Sequence, residues 1–455
     1  MQQNIDIQSL KVRRKKLAEL LNTPAVLWSG KSPSKNFRAN YYPFRASSHF
    51  LYFAGLPIEN AAIKLENGNL DLFMDNPHPD STLWHGEMPT REDIALQIGA
   101  NNAYPMEALK DKIDGVATVA VQDTFTNEKQ KKILQRFLLI NNDLNELDYK
   151  LMQSIISLRS THDDMALKEI KKAVGVSVKA HEIGMKLTKN SITEAQVRAA
   201  MESYIISQNM ICAYNSIVTV NGEILHNETY NNSLKAGDLI LADVGAETPL
   251  GWASDITRTW PVSGHFSSSQ RDIYDIVLAA NSACIENIKP GAEYRDIHLL
   301  GARIIAEGLV NLGILKGNPE SLVEKDAHAL FFPHGIGHLL GLDVHDMEDL
   351  GDLAGYEKGR TRSDRFGLGY LRLDRPLKVG MVVTIEPGFY QVPAILNNPK
   401  FKEKYYNDVN WEKLKQFSDV RGIRIEDDIL VTETGVEILT QNLPKKVQEI
   451  EELIK

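Results

Sequence analysis

Cysteine is almost missing from this chain: Cys212 and Cys284 are the only two in 455 residues. Each lies in an apolar segment that reads as core, so neither a disulfide framework nor a thiolate metal site is expected. Long apolar runs are missing too, and the first residues lack the apolar stretch of a secretory leader. The expectation is a cytoplasmic protein that engages no membrane. Nor is there an excess of positive charge. The net charge of -9 argues against a general nucleic-acid binder, whose phosphate contacts need a basic surface. The one basic cluster, Arg13-Arg14-Lys15-Lys16, leads into Leu17, Leu20 and Leu21 and reads as the solvated face of a first helix. Low-complexity tracts and short-period repeats are absent.

What remains is ordinary globular material, 43% hydrophobic and 24% charged, enough for two or three domains that each bury a core. Residues 1–160 alternate helix-like and strand-like pieces: a helix near 12–21, strands at 25–28, 50–53, 61–65, 70–74 and 117–121, and a helix near 128–139. The stretch 144–161 reads as a connection. Residues 161–455 begin with long amphipathic helices. Thr161-His162-Asp163-Asp164 offers capping oxygens ahead of Leu167, Ile170, Val174 and Val178, and Ser191-Ile192-Thr193-Glu194 repeats the capping-box pattern ahead of Val197 and Met201. Further helices are expected at 269–288 and 294–312, with β-rich pieces at 233–262, 381–390 and 422–432. The fold class is α/β of the α+β kind. Helices followed by a carboxylate-bearing strand pair occur twice, as two half-domains around a shared site would require.

The chemistry concentrates in 331–346, where His334, His338 and His345 fall within twelve residues. Gly335 and Gly337 spoil a helix there, and no Glu follows His334 as a zinc-protease helix would demand. The histidines therefore need partners from elsewhere, and four carboxylates in strand-like surroundings supply them. Asp243 and Asp255 flank the turn signal Thr248-Pro249-Leu250-Gly251, so they read as a hairpin with the two side chains opposite each other. Like charges so placed are unfavourable unless a cation lies between them. Glu386 and Glu426 sit among β-branched residues, where a lone acid is costly to bury. Singly, each acid reads as an exposed strand residue or a salt-bridge partner. With His338 they form a five-donor, oxygen-rich set whose charge balances two divalent cations and suits manganese, cobalt, iron or zinc. Water held by such ions is a strong nucleophile at neutral pH.

These five residues stand in Leu-Ala-Asp-Val-Gly-Ala, Ser-Asp-Ile-Thr-Arg-Thr, Pro-His-Gly-Ile-Gly-His, Thr-Ile-Glu-Pro-Gly and Arg-Ile-Glu-Asp-Asp. In that order the motifs closely resemble the aminopeptidase P and prolidase family of proline-specific metallopeptidases. Phe44-Arg45-Ala46-Ser47-Ser48-His49-Phe50-Leu51-Tyr52 and Leu83-Trp84-His85-Gly86 resemble the family's N-terminal domain, so the likeness covers nearly the whole chain. It implies a creatinase-like mixed α/β N-terminal domain with its linker in 1–160 and a pita-bread catalytic domain in 161–455. It also implies two divalent ions, most often manganese in the family. Asp243 would chelate one ion, Asp255 and Glu426 would bridge the pair, and His338 and Glu386 would complete the other shell.

His226, His334 and His345 match the family's non-ligand histidines around the substrate. An imidazole suits both the proline nitrogen that must collect a proton and the developing oxyanion. Arg424, two residues before Glu426, shares its strand face and either orients that carboxylate or forms a plain salt bridge. Tyr390 could line the substrate pocket or belong to the core. Arg372 falls where the prolidase branch has an arginine that grips the free carboxylate of a dipeptide; it also reads as an exposed loop arginine. The insertion between Pro393 and Val420 is prolidase-like, whereas the N-terminal domain is typical of aminopeptidase P. The expected activity is hydrolysis of an Xaa-Pro bond that releases the N-terminal residue of a proline-containing peptide. Xaa-Pro dipeptide hydrolysis is the alternative; a non-catalytic binding protein on the same fold and metal-free hydrolysis of a small amidino compound are more distant. A homo-oligomer is expected.

Overall fold

A computed structural model of the chain describes residues 5–138 and 145–455, which divide into two compact units. The first comprises Met1–Met165 with Pro249–Gly251 and Asp349–Ala354. Its five-stranded sheet runs in the order Asn102–Tyr104, Asn69–Phe73, Ala62–Glu66, Ala25–Trp28, Ala117–Thr118. The three central strands are antiparallel and the two outer ones join in parallel. Asn67-Gly68, with φ of 52° and 79°, is the two-residue turn that sets the register Glu66↔Asn69. On one face Val26, Trp28, Ala62 and Phe73 close against Met106, Leu109, Val116 and Val121.

Four expectations need correction in this unit. Phe50-Leu51-Tyr52-Phe53 is not a strand but the body of the helix Ser48–Ala54, which Gly55 terminates at φ 75°. All seven residues are buried, so the run carries no period that could tell helix from strand. The helix expected at 128–139 is Thr124–Leu134, started one turn earlier by the Asp123 side chain; Leu139 lies outside the described residues. The supposed connection at 144–161 is, from Glu146 to Arg159, a helix that buries Leu151, Met152, Ile155 and Ile156 and packs against Ile7–Leu20; Leu144 lies outside the described residues. Finally, Arg13 and Arg14 are not solvated but only 2% exposed. Arg14 donates to the carbonyls of Phe53, Ile98 and Gly99, at the C-terminal ends of two helices. Arg13 donates to Asp163 and the Tyr52 carbonyl. Helix C-termini leave carbonyls unpaired and carry partial negative charge, which a guanidinium fork satisfies.

The second unit comprises Ala166–Thr248, Trp252–Glu348 and Gly355–Lys455. Helices Ser268–Glu286 and Tyr294–Asn311 pack on each other, and Asp164–Thr188 is the longest of the described helices. One three-stranded sheet has the order Thr257–Pro261, Leu239–Asp243, Ile217–Thr219; the other has Val382–Ile385, Asp427–Thr432, Gly435–Ile438. Two-stranded pairs add Gly388–Tyr390 with Gly422–Arg424 and Ile211–Cys212 with Ala246–Glu247. The strands Leu239–Asp243, Thr257–Pro261 and Val382–Ile385 are buried along their full length, and the first and third read as near-continuous apolar runs without alternation. The capping box at 191–194 shifts: Thr193 with Gln196 caps the helix Glu194–Ser207, and Glu194 is fully buried in another role. Cys284 is core, but Cys212 is only partly buried; both are free thiols. Among the described residues no helix is long and apolar enough to cross a membrane.

Candidate metal centre

Asp243 ends its strand, and the antiparallel register sets it opposite Thr257. The expected direct opposition of Asp243 and Asp255 is therefore corrected to a diagonal, two residues out of step. The hairpin holds this register to its turn, with Ser254 N–H donating to the Ala246 carbonyl at 3.0 Å and Glu247 opposite Ala253, while Ala246–Glu247 also pairs with Ile211–Cys212. A side-chain period of two still keeps both carboxylates on one face. The hydroxyl of Tyr214 lies 2.6 Å from an oxygen of each, bridging the diagonal.

Glu426 follows the strand Gly422–Arg424 and is tied to the same sheet through Thr257. Its backbone N–H donates to the Thr257 carbonyl at 3.0 Å, and the Thr257 hydroxyl donates to its carboxylate at 2.7 Å. Glu386 follows Val382–Ile385. His338 stands in irregular backbone laid flush on that strand: Thr384 N–H donates to its carbonyl at 3.0 Å. Gly337 makes the approach possible, since a Cβ there would overlap the Thr384 carbonyl and the Tyr294 hydroxyl. Ligand-capable atoms gather within 4.8 Å of one another in three groups: Asp243, Asp255 and Glu426; His338, Glu386 and Glu426; Asp255, His338 and His345. All five residues expected as ligands are brought together, with His345 beside them.

The electrostatics ask for cations. Burial, reinforced by neighbouring carboxylates, pushes the carboxyls of Asp255, Glu386 and Glu426 well above their ordinary range. Among the four acids only Asp243 has a guanidinium, Arg424, whose Nη2 donates to it at 2.6 Å. His338 donates from Nδ1 to the Leu339 carbonyl at 3.0 Å. Its Nε2 lone pair therefore faces oxygens of Asp255 at 3.3 Å and Glu386 at 3.7 Å. Burial holds this ring neutral by lowering its pKa. A neutral imidazole aimed at two carboxylates is a ligand arrangement, with the Leu339 carbonyl fixing the tautomer. The donors thus fit divalent ions bound by oxygen and nitrogen.

Around this cluster His334 uses both ring nitrogens. Nδ1 donates to the Gly335 carbonyl and Nε2 accepts from the Tyr390 hydroxyl, each at 2.8 Å. That hydroxyl in turn accepts from Arg424 Nη1 at 3.0 Å, so Arg424, Tyr390 and His334 form one chain. Burial, with Arg424 adding, pushes His334 down to about 3, and burial pushes Tyr390 up to about 12. Tyr390 is fully buried, its ring packed on Ile217 and Leu241. The Arg424 Nε donates to Thr257 Oγ1 at 2.9 Å, the same hydroxyl that serves Glu426, so Arg424 and Glu426 share a face as expected.

His345 Nδ1 is hydrogen-bonded to Glu348, which also accepts from Arg372 Nε at 3.0 Å. The His345 bond, with Arg372 adding, holds Glu348 down at about 2. His226 is exposed, and the charges of Arg424, Arg372 and Asp243 all act on it. Its segment, 220–232, is clamped at both ends by Glu194. That carboxylate accepts from Thr219 Oγ1 at 3.0 Å, Val220 N–H at 2.8 Å and Asn232 Nδ2 at 3.0 Å. Arg421 pairs with Glu223 and Asn221 of the same segment. At this point Gly222 and Gly422 meet backbone to backbone; a Cβ on Gly222 would stand 2.7 Å from the Gly422 carbonyl.

Tyr214, Thr257 and Glu194 escaped the reading of the sequence. Thr257, two residues past Asp255, could have been found from strand alternation. Tyr214, 29 residues before Asp243, has no local signal.

Comparisons with known proteins fall along the same residues. The family model described as Metallopeptidase family M24 matches residues 168–433, and that described as Aminopeptidase P, N-terminal domain matches residues 10–124. The chain is 32% identical over 429 residues to the Probable Xaa-Pro aminopeptidase PEPP of Podospora anserina, covering 90% of this chain and 87% of that one. It is 29% identical over 450 residues to the Xaa-Pro dipeptidase of Homo sapiens, covering 96% and 90%. Among solved structures, aminopeptidase PepP of Pseudomonas aeruginosa is similar with a TM-score of 0.81 at 30% identity, covering 99% of this chain and 98% of that one. Aminopeptidase P of E. coli is similar with a TM-score of 0.81 at 27% identity, covering 99% of both.

Proposed function

The chain belongs to metallopeptidase family M24, and from that membership we propose that it hydrolyses the Xaa-Pro bond of proline-containing peptides, releasing the N-terminal residue. The observation that carries this reading is the convergence of Asp243, Asp255, His338, Glu386 and Glu426. The likeness to proteins named Xaa-Pro aminopeptidase and aminopeptidase P supports the choice of bond. Strict Xaa-Pro dipeptide hydrolysis is the second reading, favoured by Arg372 beside the site and by the likeness to the human dipeptidase.

In this reading Asp243 would hold one ion and His338 and Glu386 the other, while Asp255 and Glu426, each in two of the ligand-capable groups, would serve both. Manganese is the metal we assign. When bound, such ions polarise the scissile carbonyl and make water nucleophilic at neutral pH. Tyr214 fixes the spacing of the two aspartates, and Arg424 orients Asp243. His226, which takes no hydrogen bond among the described residues, supplies the proton that the departing proline nitrogen needs. His345, its Nδ1–H held by Glu348, is oriented to support the oxyanion once its Nε2 has taken up a proton. His334 works with Tyr390 and Arg424 as one hydrogen-bonded unit beside the substrate. Arg372 meets the peptide's C-terminal side. The same reading gives residues 1–160 the role of the N-terminal domain with its linker and 161–455 that of a pita-bread catalytic domain, in a cytoplasmic homo-oligomer.

The test offers manganese-loaded protein Xaa-Pro and Xaa-Pro-Yaa side by side and follows the free N-terminal residue. Hydrolysis that a chelator abolishes is expected. Protein that holds two ions and cleaves neither peptide would overturn the reading.

A further inference from the structure

Between the strand pairs that carry Glu386 and Glu426 the hydrogen-bond ladder is broken. Ile385 pairs with Asp427 and Gly388 with Arg424, which leaves Glu386-Pro387 facing Ile425-Glu426 outside any strand. Ile425 N–H donates to the Pro387 carbonyl at 3.3 Å. The reciprocal bond cannot form, because proline has no N–H to offer the Ile425 carbonyl. A buried carbonyl without a donor is costly.

The donor comes from the helix Ser268–Glu286. Asn281, fully buried, donates from Nδ2 to the Ile425 carbonyl at 3.3 Å and to the Ile385 carbonyl at 3.1 Å. Those carbonyls immediately precede Glu426 and Glu386. Its Oδ1 accepts from Lys445 Nζ at 2.8 Å, and Lys445 is held by Asp427 at 2.7 Å. The amide orientation is therefore set by the ammonium, and both amide hydrogens point at the gap. A counterpart lies behind the other acids: His181 on the helix Asp164–Thr188, also fully buried, donates from Nε2 at 3.1 Å to the carbonyl of Val244, next to Asp243.

We propose that Asn281 is a positioning residue that fixes the separation of Glu386 and Glu426 by bridging the backbone on which both stand. The inference rests on these two carboxylates sharing a pair of ions as proposed above. Asn281 meets no substrate, so its loss acts on how the second ion is held and on turnover, not on peptide affinity.

The test is Asn281→Asp, which keeps the size and the Lys445 contact but turns a carboxylate oxygen toward the two carbonyls. In calorimetric titration with Mn2+ the weaker of two binding steps should fall by roughly tenfold to a hundredfold, the usual cost of losing a group behind a metal ligand. The spin-exchange signal of the manganese pair should weaken with it, and kcat should fall while KM for an Xaa-Pro peptide stays. Two ions bound with wild-type affinity and unchanged exchange would overturn the proposal. Should Asn281→Asp fail to fold, Lys445→Met carries the test: it frees the amide to turn, so a smaller loss at the same binding step is expected, and wild-type binding of both ions overturns the proposal. A wild-type protein that takes up no Mn2+ would overturn the metal centre itself, and that failure appears before any variant is made.

Discussion

Replacing Arg372 with alanine separates the two peptide lengths that this site could accept. Arg372 donates from Nε to Glu348 at 3.0 Å, and its side chain is 32% exposed. Among the described residues its two terminal nitrogens take no hydrogen-bond partner, so a forked edge remains for a carboxylate. A desolvated charge-assisted pair is worth about 1.5–3 kcal/mol. With a third of the side chain in water, about 1–1.4 kcal/mol is the better figure, or roughly fivefold to tenfold in kcat/KM. A dipeptide Xaa-Pro puts its carboxylate at that edge; a tripeptide puts a neutral amide there. Arg372→Ala should therefore lower kcat/KM for the dipeptide by that factor and leave the matched tripeptide almost unchanged. The assay is initial-rate kinetics on a pair with the same N-terminal residue, at fixed manganese. Glu348 keeps its bond to His345 in the variant, so the imidazole is not released by the change. Equal loss on both substrates would refute the reasoning and place the effect on the Glu348 and His345 chain. No loss on either would mean that the guanidinium meets no substrate.

Asp255→Asn or Glu426→Gln should remove at least one ion and nearly all activity, since each belongs to two ligand-capable groups; metal analysis finding two ions at full rate in either variant would sink the shared assignment. His334→Ala and His345→Ala should keep both ions while turnover falls by roughly two to four orders of magnitude. Collapse of the metal content instead would make these residues ligands. Glu194→Gln keeps the shape of the side chain but sets amide hydrogens against the Val220 or Asn232 donors, at about 1–3 kcal/mol for a buried group left unpaired. A lower denaturation midpoint in urea with intact metal content is the expected result, and an unchanged midpoint would show that the clamp carries no load.

The residues that short motifs name were readable from the chain alone. Asp243, Asp255, His338, Glu386 and Glu426 each stand in a local signature, and the structure brings all five to one place. Local signals failed where every side of a segment is buried. The helix Ser48–Ala54 is buried on all faces, so neither period appears, and Arg14 looks like any surface cation until two helix ends are seen to converge on it. They failed again where the partner is remote: nothing near Asn281 announces the carbonyls of Ile385 and Ile425, 104 and 144 residues away. The diagonal of Asp243 and Asp255 was hidden because the turn signal fixes that a hairpin exists but not its register, which sets Glu247 opposite Ala253 and Asp243 opposite Thr257.

The meeting of Gly222 with Gly422 also restricts what substitution can do. Most tight contacts can be relieved from either side, by shrinking one partner when the other grows. Here both partners are already the smallest residue available, and the nearest atoms are backbone. No second-site change can make room for a side chain at either position. A selection for suppressors of Gly222→Ala should return only changes that move the His226 segment bodily, and those surrender the placement that the contact provides.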